Sequence, residues 1–379
     1  MEPAKPSLEL VRSLTDEHVL RALMRHRRLT RAELAAETGI SKPTVGESVR
    51  RLTEAGLVVD TGESTPGGRG RGRVGTYYAL AADAGLALAV GIAPDGVVAE
   101  CVDAYGDTVA CARREIGRPA TPERVAATVR AAAEAARHAA GRTPRLATVS
   151  AADPVDRASG RLIQLPDTPF LLGELDTVAV LAPHVDGPVT VDNDVNWAAR
   201  AERAAAADGE LDDFAYLFLG EGLGCALVSD GEVTRGHSGL AGEVAHLVTV
   251  GRHGRATRLI EVFGDLGLRR PGSTAIDVDR LLAAATGTGR PAAAVRAAIG
   301  DAVGGVVAAL VALADPGLVV VGGAWGGHPV VIDAISAALE ALPRRAAVRA
   351  ARVPGDPSHT GARMDALARL RAAIATTPH

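Results

Sequence analysis

Apolar residues at the start of the chain recur three and four positions apart, and from about Asp83 they change to alternating and β-branched runs. The helical part comes first. Val19, Leu20, Leu23 and Met24 make one stripe, on a helix expected to begin at Asp16 as its N-cap. A second helix follows, with Thr30 as cap, Leu34 and Ala35 inward, and Gly39 at its C-terminal end. A third starts at Ser41 as N-cap, with Pro43 in its first turn, where a missing N–H costs nothing. Its Val45, Val49 and Leu52 fall at i, i+4 and i+7 and face inward, so Lys42, Thr44, Glu47, Ser48 and Arg51 are expected to point outward. Two short apolar strands then flank "TPGGRGRGRVG", a turn of glycine and arginine.

Three helices and a basic hairpin predict a winged helix-turn-helix over residues 1–80. A plain αα-hairpin shares the helical pattern, but it has no use for the polar first turn of the third helix or for the arginines behind it. Ser41, Lys42, Thr44, Glu47, Ser48 and Arg51 are the candidates for reading a major groove. Arg69, Arg71 and Arg73 could enter a minor groove or grip phosphates, and an Arg-Gly run equally suits a solvated linker.

Beyond Asp83, "LALAVGI", "GVVAECVDAYG" and "DTVACARREI" read as three strands joined by tight turns. An alanine-rich helix from Thr121 to Gly141 and the strand "LATVSAA" follow. The order recurs in "FAYLFLG", "GCALVSD" and "EVTRG", with a late buried strand in "LADPGLVVVGGAWGG". This pseudo-repeat predicts two α/β lobes, over residues 83–190 and 191–379, with a ligand cleft between them and the last helix returning to the first lobe.

Charge and cysteine narrow the class only a little. A net charge of -4 and a pI near 6.2 exclude a generally basic coat, so nucleic-acid contacts must be local. The chain start carries charges throughout, and no stretch offers about 18 uninterrupted apolar residues. A cytoplasmic protein without a membrane partner is expected. Cys101, Cys111 and Cys225, an odd number without a Cys-x-x-Cys pair, are expected as reduced core residues.

Two polar clusters carry the chemistry. "VTVDNDVNWAARAER" runs a strand into a helix with Asp192, Asn193, Asp194 and Asn196 at the junction, where side chains point into an α/β cleft. One of the four suits a helix cap; Asn193 and Asp194 together offer the donors and acceptors that adjacent sugar hydroxyls need. In "HSGLAGEVAHLVTV", Glu243 and His246 lie three apart behind a glycine-rich turn, a spacing that fits a metal or a hydroxyl-rich ligand. The following residues hold no cysteine, and His246 with His253 would leave zinc two ligands short, so no metal is expected.

"GPVTVDNDVNWAARAE", "LGEGLGCALVSDGEVTRGHSGLAGEVAHL" and "DPGLVVVGGAWG", behind a winged helix, resemble the ROK family of repressors, open reading frames and kinases. The resemblance covers nearly the whole chain, and Gly236 to His246 is its most specific part. It implies a two-lobed α/β domain of the actin and hexokinase type, ribonuclease H-like in each lobe. Asn193 and Asp194 resemble the family's sugar-binding pair, Asp194 matching the base of its kinases. Glu243 and His246 resemble sugar contacts from the second lobe, and Glu261 a further sugar-contacting acid. Asp167, in "DPVDRASGRLIQLPDTPF", stands in the first-lobe sugar loop where Asn is usual.

The departures bear on mechanism. The family's Cys-x-Cys zinc run is missing. The kinases' Asp-x-Gly-Gly-Thr phosphate loop is replaced by "GIAPDGVV", with Ala93 where a metal-associated Asp would stand, and Glu221 replaces a common Thr in the second loop. A carboxylate there repels a γ-phosphate. The sequence therefore predicts a sugar-responsive regulator that binds an operator in double-stranded DNA, works as a homodimer or homotetramer, uses no cofactor and transfers no phosphate. The rivals are a regulator that keeps ATP-dependent sugar kinase activity and a DNA-binding protein whose lobes serve only assembly.

Overall fold

The computed structural model describes residues 8–65, 75–166 and 169–376. α1 (Leu8–His26) begins well before the expected cap at Asp16, and a short strand β1 (Arg28–Thr30) leads to α2 (Arg31–Thr38). Thr30 and Glu33 close a reciprocal capping box at the start of α2, and Gly39 ends it in the left-handed region. α3 (Lys42–Glu54) starts on the Ser41 cap, and β2 (Val58–Ser64) and β3 (Thr76–Leu80) form the wing. The small antiparallel sheet has the order β1-β3-β2. Arg69, Arg71 and Arg73 lie outside the described residues.

Asp16 is a buried mid-helix residue, not a cap. Its carboxylate accepts from Ser48 Oγ at 2.5 Å and from Arg51 at 2.7 and 3.2 Å, which locks α3 onto α1. The turns before Asp16 are helical although Val11 and Leu14 there stay exposed.

The first lobe comprises β4 (Leu86–Ala93), β5 (Gly96–Asp103), β6 (Thr108–Arg114), α4 (Pro122–Ala140), β7 (Leu146–Ala151), α5 (Thr177–Leu181) and β8 (Val189–Asn193). The second comprises α6 (Asp194–Ala205), β9 (Phe214–Leu219), β10 (Leu223–Ser229), β11 (Glu232–Val233), β12 (Val248–Val250), β13 (Ala256–Arg258), α7 (Leu259–Asp265), α8 (Val278–Thr286), α9 (Gly289–Ala314), β14 (Leu318–Gly322), α10 (Pro329–Glu340) and β15 (Ala347–Ala350). A final helix, α11 (Pro357–Thr376), packs back on β4 and β7.

The two main sheets share one plan. The orders are β6-β5-β4-β7-β8 and β11-β10-β9-β14-β15, each with antiparallel hairpins at one side and parallel strands at the other. Alternation decides the packing of β9: Ala215, Leu217 and Leu219 join the core under α7 to α10, while Phe214 and Tyr216 face α6. α9 is long and apolar enough to cross a membrane by composition, yet Ile299, Val303, Val306 and Val307 are fully buried in that core.

α6 and α11 lie side by side and join the lobes. A Cβ at Gly361 would come within 2.1 Å of the Trp197 carbonyl, so glycine is what permits that approach. Trp197 Nε1 donates to Val149 O at 2.9 Å, fixing α6 to the first sheet. Below it, Glu100 of β5 accepts from Thr108, His359 and Arg363 at 2.5, 2.9 and 2.9 Å. Burial alone would raise this carboxyl, but the three donors outweigh it and hold it at about 2.

The winged helix is welded to the first lobe. Val19, Leu20, Leu23 and Leu52 share a core with Ala87, Ala89, Val102, Leu370 and Ile374. Arg27 grips Asp107 through two bonds of 2.6 and 2.7 Å, and the Tyr105 hydroxyl accepts from Leu80 N and donates to Arg27 O. Of the cysteines, Cys101 and Cys225 are buried as expected, but Cys111 is exposed on β6.

Candidate functional site

α3 presents Ser41, Lys42, Thr44 and Glu47 to solvent. Ser48 is fully buried and Arg51 is engaged by Asp16, so these two hold the helix in place and do not stand on its outer face. The i, i+4, i+7 spacing does not record Asp16 of α1, which packs against that side of α3. Arg50, which is not among the expected outward residues, is exposed next to Glu47 and pairs with it at 3.0 Å and with Glu54 at 2.7 Å. The outward face is therefore Ser41, Lys42, Thr44, Glu47 and Arg50.

Between the lobes lies a cleft of about 1420 Å³. Asp153, Asn193, Asp194, Glu243 and His246 line one region of it, and the β4–β5 turn, the Gly220–Gly222 loop and Gly322–Gly323 line another. Asp167 lies outside the described residues. Glu261 is not among the lining residues; it pairs with Arg258 at 2.9 Å and Arg269 at 3.1 Å.

At the β8–α6 junction the four polar residues divide their work. Asn193 is the cap: its Oδ1 accepts from Val195 N, and its Nδ2 donates to Ala151 O and Asp153 O. Asp192 is buried and holds Asn196, Arg200 and Arg235. That leaves Asp194 as the carboxyl turned to the cleft. Burial pushes it up to about 7, with the Glu243 and Asp356 carboxylates adding to the rise.

Glycine brings the second-lobe loop to the same place. Gly239 has φ +97° and a Cβ there would stand 2.2 Å from the Val155 carbonyl; at Gly242, φ is +95° and a Cβ would overlap the Cys225 carbonyl. The loop is thus pressed between the lobes, with Arg157 donating to Ser238 O and Gly236 O, both at 2.9 Å. Glu243 follows directly, and burial raises its carboxyl to about 7. His246 Nε2 donates to Pro166 O at 2.9 Å, and Nδ1 faces Arg258 at 3.4 Å, so both ring nitrogens already have partners.

Asp153 opens the stretch "DPVDRASGRLIQLPDTPF" but is not singled out there, since nothing local sets it apart from Asp156. It is 2% exposed, lines the cleft, and neither carboxyl oxygen has a hydrogen-bond partner. Burial raises it well above the usual carboxylate range, the Leu171 backbone amide opposes the rise, and Asp194 and Glu243 add to it.

The other region of the cleft is lined by glycine loops and by a carboxylate that pairs with two arginines. Trp325 is fully buried and donates from Nε1 to Gly220 O at 2.8 Å, fixing the loop. Glu221 projects from it and binds Arg270 at 2.5 Å, with Arg118 of the first lobe at 3.7 Å.

The family model "ROK family" matches residues 87–360, and a winged helix-turn-helix DNA-binding model matches residues 12–59. This chain belongs to the ROK family. It is 29% identical over 92 residues to a xylose repressor from Caldicellulosiruptor bescii, which covers 24% of this chain and 23% of that protein. It is 28% identical over 163 residues to a glucokinase from Streptomyces coelicolor, covering 43% and 50%. These matches span half or less of either relative. Among solved structures, a ROK family transcriptional regulator, a homologue of the E. coli MLC protein, aligns over 97% of both chains with a TM-score of 0.64 and 19% identity. A ROK hexokinase from Thermus thermophilus covers 76% of this chain and 99% of its own, with a TM-score of 0.58 and 23% identity. The fold is thus a two-lobed ROK, hexokinase-like domain behind a winged helix.

Proposed function

We propose that this chain is a transcription regulator that binds operator DNA through α3 and binds a sugar or sugar derivative in its cleft without phosphorylating it. One observation carries the second half. The region holding Asp194, Glu243 and His246 keeps open acid groups, while the Gly220–Gly222 loop carries Glu221 already paired with Arg118 and Arg270. Binding chemistry is supplied; stabilisation of a transferring phosphoryl group is not. Regulators and kinases both occur among the relatives, and the winged helix favours the regulator.

The route from ligand to DNA is short. Asp356 and Ser358 at the start of α11 line the cleft, and Leu370 and Ile374 near its end are packed with Val19 and Leu20 of α1. A ligand that closes the lobes shifts α11 against the first sheet and so the winged helix it supports. A thermal-shift screen against sugars, amino sugars and sugar phosphates tests the reading, since a ligand favouring the folded state must raise its melting temperature. No shift with any of them, together with sugar-independent operator binding, would favour lobes that serve assembly alone.

A further inference from the structure

The acids in the cleft are not balanced. Asp153, Asp194 and Glu243 line one cavity, and the charges acting on Asp153 and Asp194 are chiefly other carboxylates. Of the arginines that line the cavity, Arg113, Arg114 and Arg118 lie at or just after the end of β6 and Arg270 follows α7, and Arg118 and Arg270 are drawn to Glu221. His246 has its ring nitrogens turned to Pro166 and Arg258. Asp153 is the extreme member: almost wholly buried, with both oxygens unpartnered.

A neutral polyol does not explain this arrangement. Asp194 and Glu243 match positions that suit sugar hydroxyls, but Asp153 is a further buried acid, and it only adds desolvation cost unless something positive meets it. We propose that the ligand of this cleft is a sugar bearing a free amine, and that Asp153 with Asp194 and Glu243 forms the seat of its ammonium group. This rests on the reading of the cleft as a sugar site and narrows it. An ammonium supplies three donors, enough to satisfy the Asp153 carboxyl oxygens, for which the chain itself provides no hydrogen-bond partner. It also restores the charge that burial has pushed these carboxyls to give up. N-acetylation removes the charge and adds bulk, so the acetamido sugar is discriminated against twice.

The test is calorimetric titration of the full chain with the gluco, galacto and manno 2-amino-2-deoxyhexoses, each beside its parent hexose and its N-acetyl derivative. At least one amine is expected to bind tenfold or more tighter than both of its counterparts. In Asp153→Asn, which keeps shape and removes charge, that ratio should fall towards one while the melting temperature stays level or rises. Hexoses binding as tightly as their amines would overturn this inference and leave the sugar site standing. An undiminished amine preference in Asp153→Asn would remove Asp153 from the seat. Absence of binding by every member of the panel would overturn both readings together.

Discussion

His246 of the second lobe donates from Nε2 to the Pro166 carbonyl of the first, 2.9 Å away across the mouth of the cleft. The bond places a residue expected to touch ligand in the role of a clasp between lobes, with Arg258 on its other nitrogen. Contacts of this kind favour a closed cleft, and closure is what allows one ligand to meet both lobes. His246→Ala should therefore weaken cleft ligands by roughly tenfold, which corresponds to about 1.4 kcal/mol, and leave ligand-free DNA affinity nearly intact. Calorimetry with ligand and anisotropy with DNA measure the two effects separately.

DNA recognition divides between the two kinds of exposed residue on α3. If Thr44 touches a base edge, Thr44→Ala relaxes sequence preference by about 1 to 3 kcal/mol. If Arg50 contacts phosphate, Arg50→Ala weakens specific and random DNA alike and lowers the salt slope by about 1. Titrations at several salt concentrations on both kinds of DNA check this. Equal losses for both variants on both DNAs would contradict the division.

Asp16→Ala tests the buried lock between α1 and α3. It leaves Arg51 and Ser48 without their acceptor, and the winged helix should lose about 2 kcal/mol. Chemical denaturation reads the loss. DNA binding should fail in step with unfolding, without any change in sequence preference among the molecules that remain folded.

Much of this was legible in the chain and some was not, for reasons that individual residues show. Caps and glycines marked the helix ends at Thr30, Gly39, Ser41, Thr121 and Gly141, because those residues act on the backbone beside them. The recurring strand order also reads directly, since period-2 apolar runs are local. Asp16, Ser48 and Arg51 were misassigned because their partnership spans more than thirty residues, and no local pattern records it. Asp153 was invisible for the same reason: its meaning comes from Asp194 and Glu243, which other elements bring to it. Asn193 took the cap that the junction was expected to need, which left its neighbour for the cleft.

Acid groups of opposite kinds give opposite responses to pH. Asp194 and Glu243 are raised to about 7 in the folded chain, so between their unfolded values near 4 and that point the folded state binds more protons. Stability from these groups is greatest at low pH and falls as pH rises through about 7. Glu100 is lowered to about 2, so its contribution is full above about 4.5 and is lost as pH falls towards 2. Asp194→Asn should stabilise the chain at pH 8, on the order of 1 to 2 kcal/mol, and have little effect near pH 4. Glu100→Gln should destabilise it at pH 7 and lose that effect near pH 2. Melting curves across this range measure both.

The central claim is that the cleft governs DNA binding, and its most direct measurement is operator affinity with and without a saturating cleft ligand. Anisotropy titrations should show a change of about 5 to 150-fold, and DNA should alter ligand affinity by the same factor, as linkage requires. In His246→Ala the same response should require about tenfold more ligand. A ligand proven to occupy the cleft that left operator affinity unchanged at every salt concentration would contradict the account.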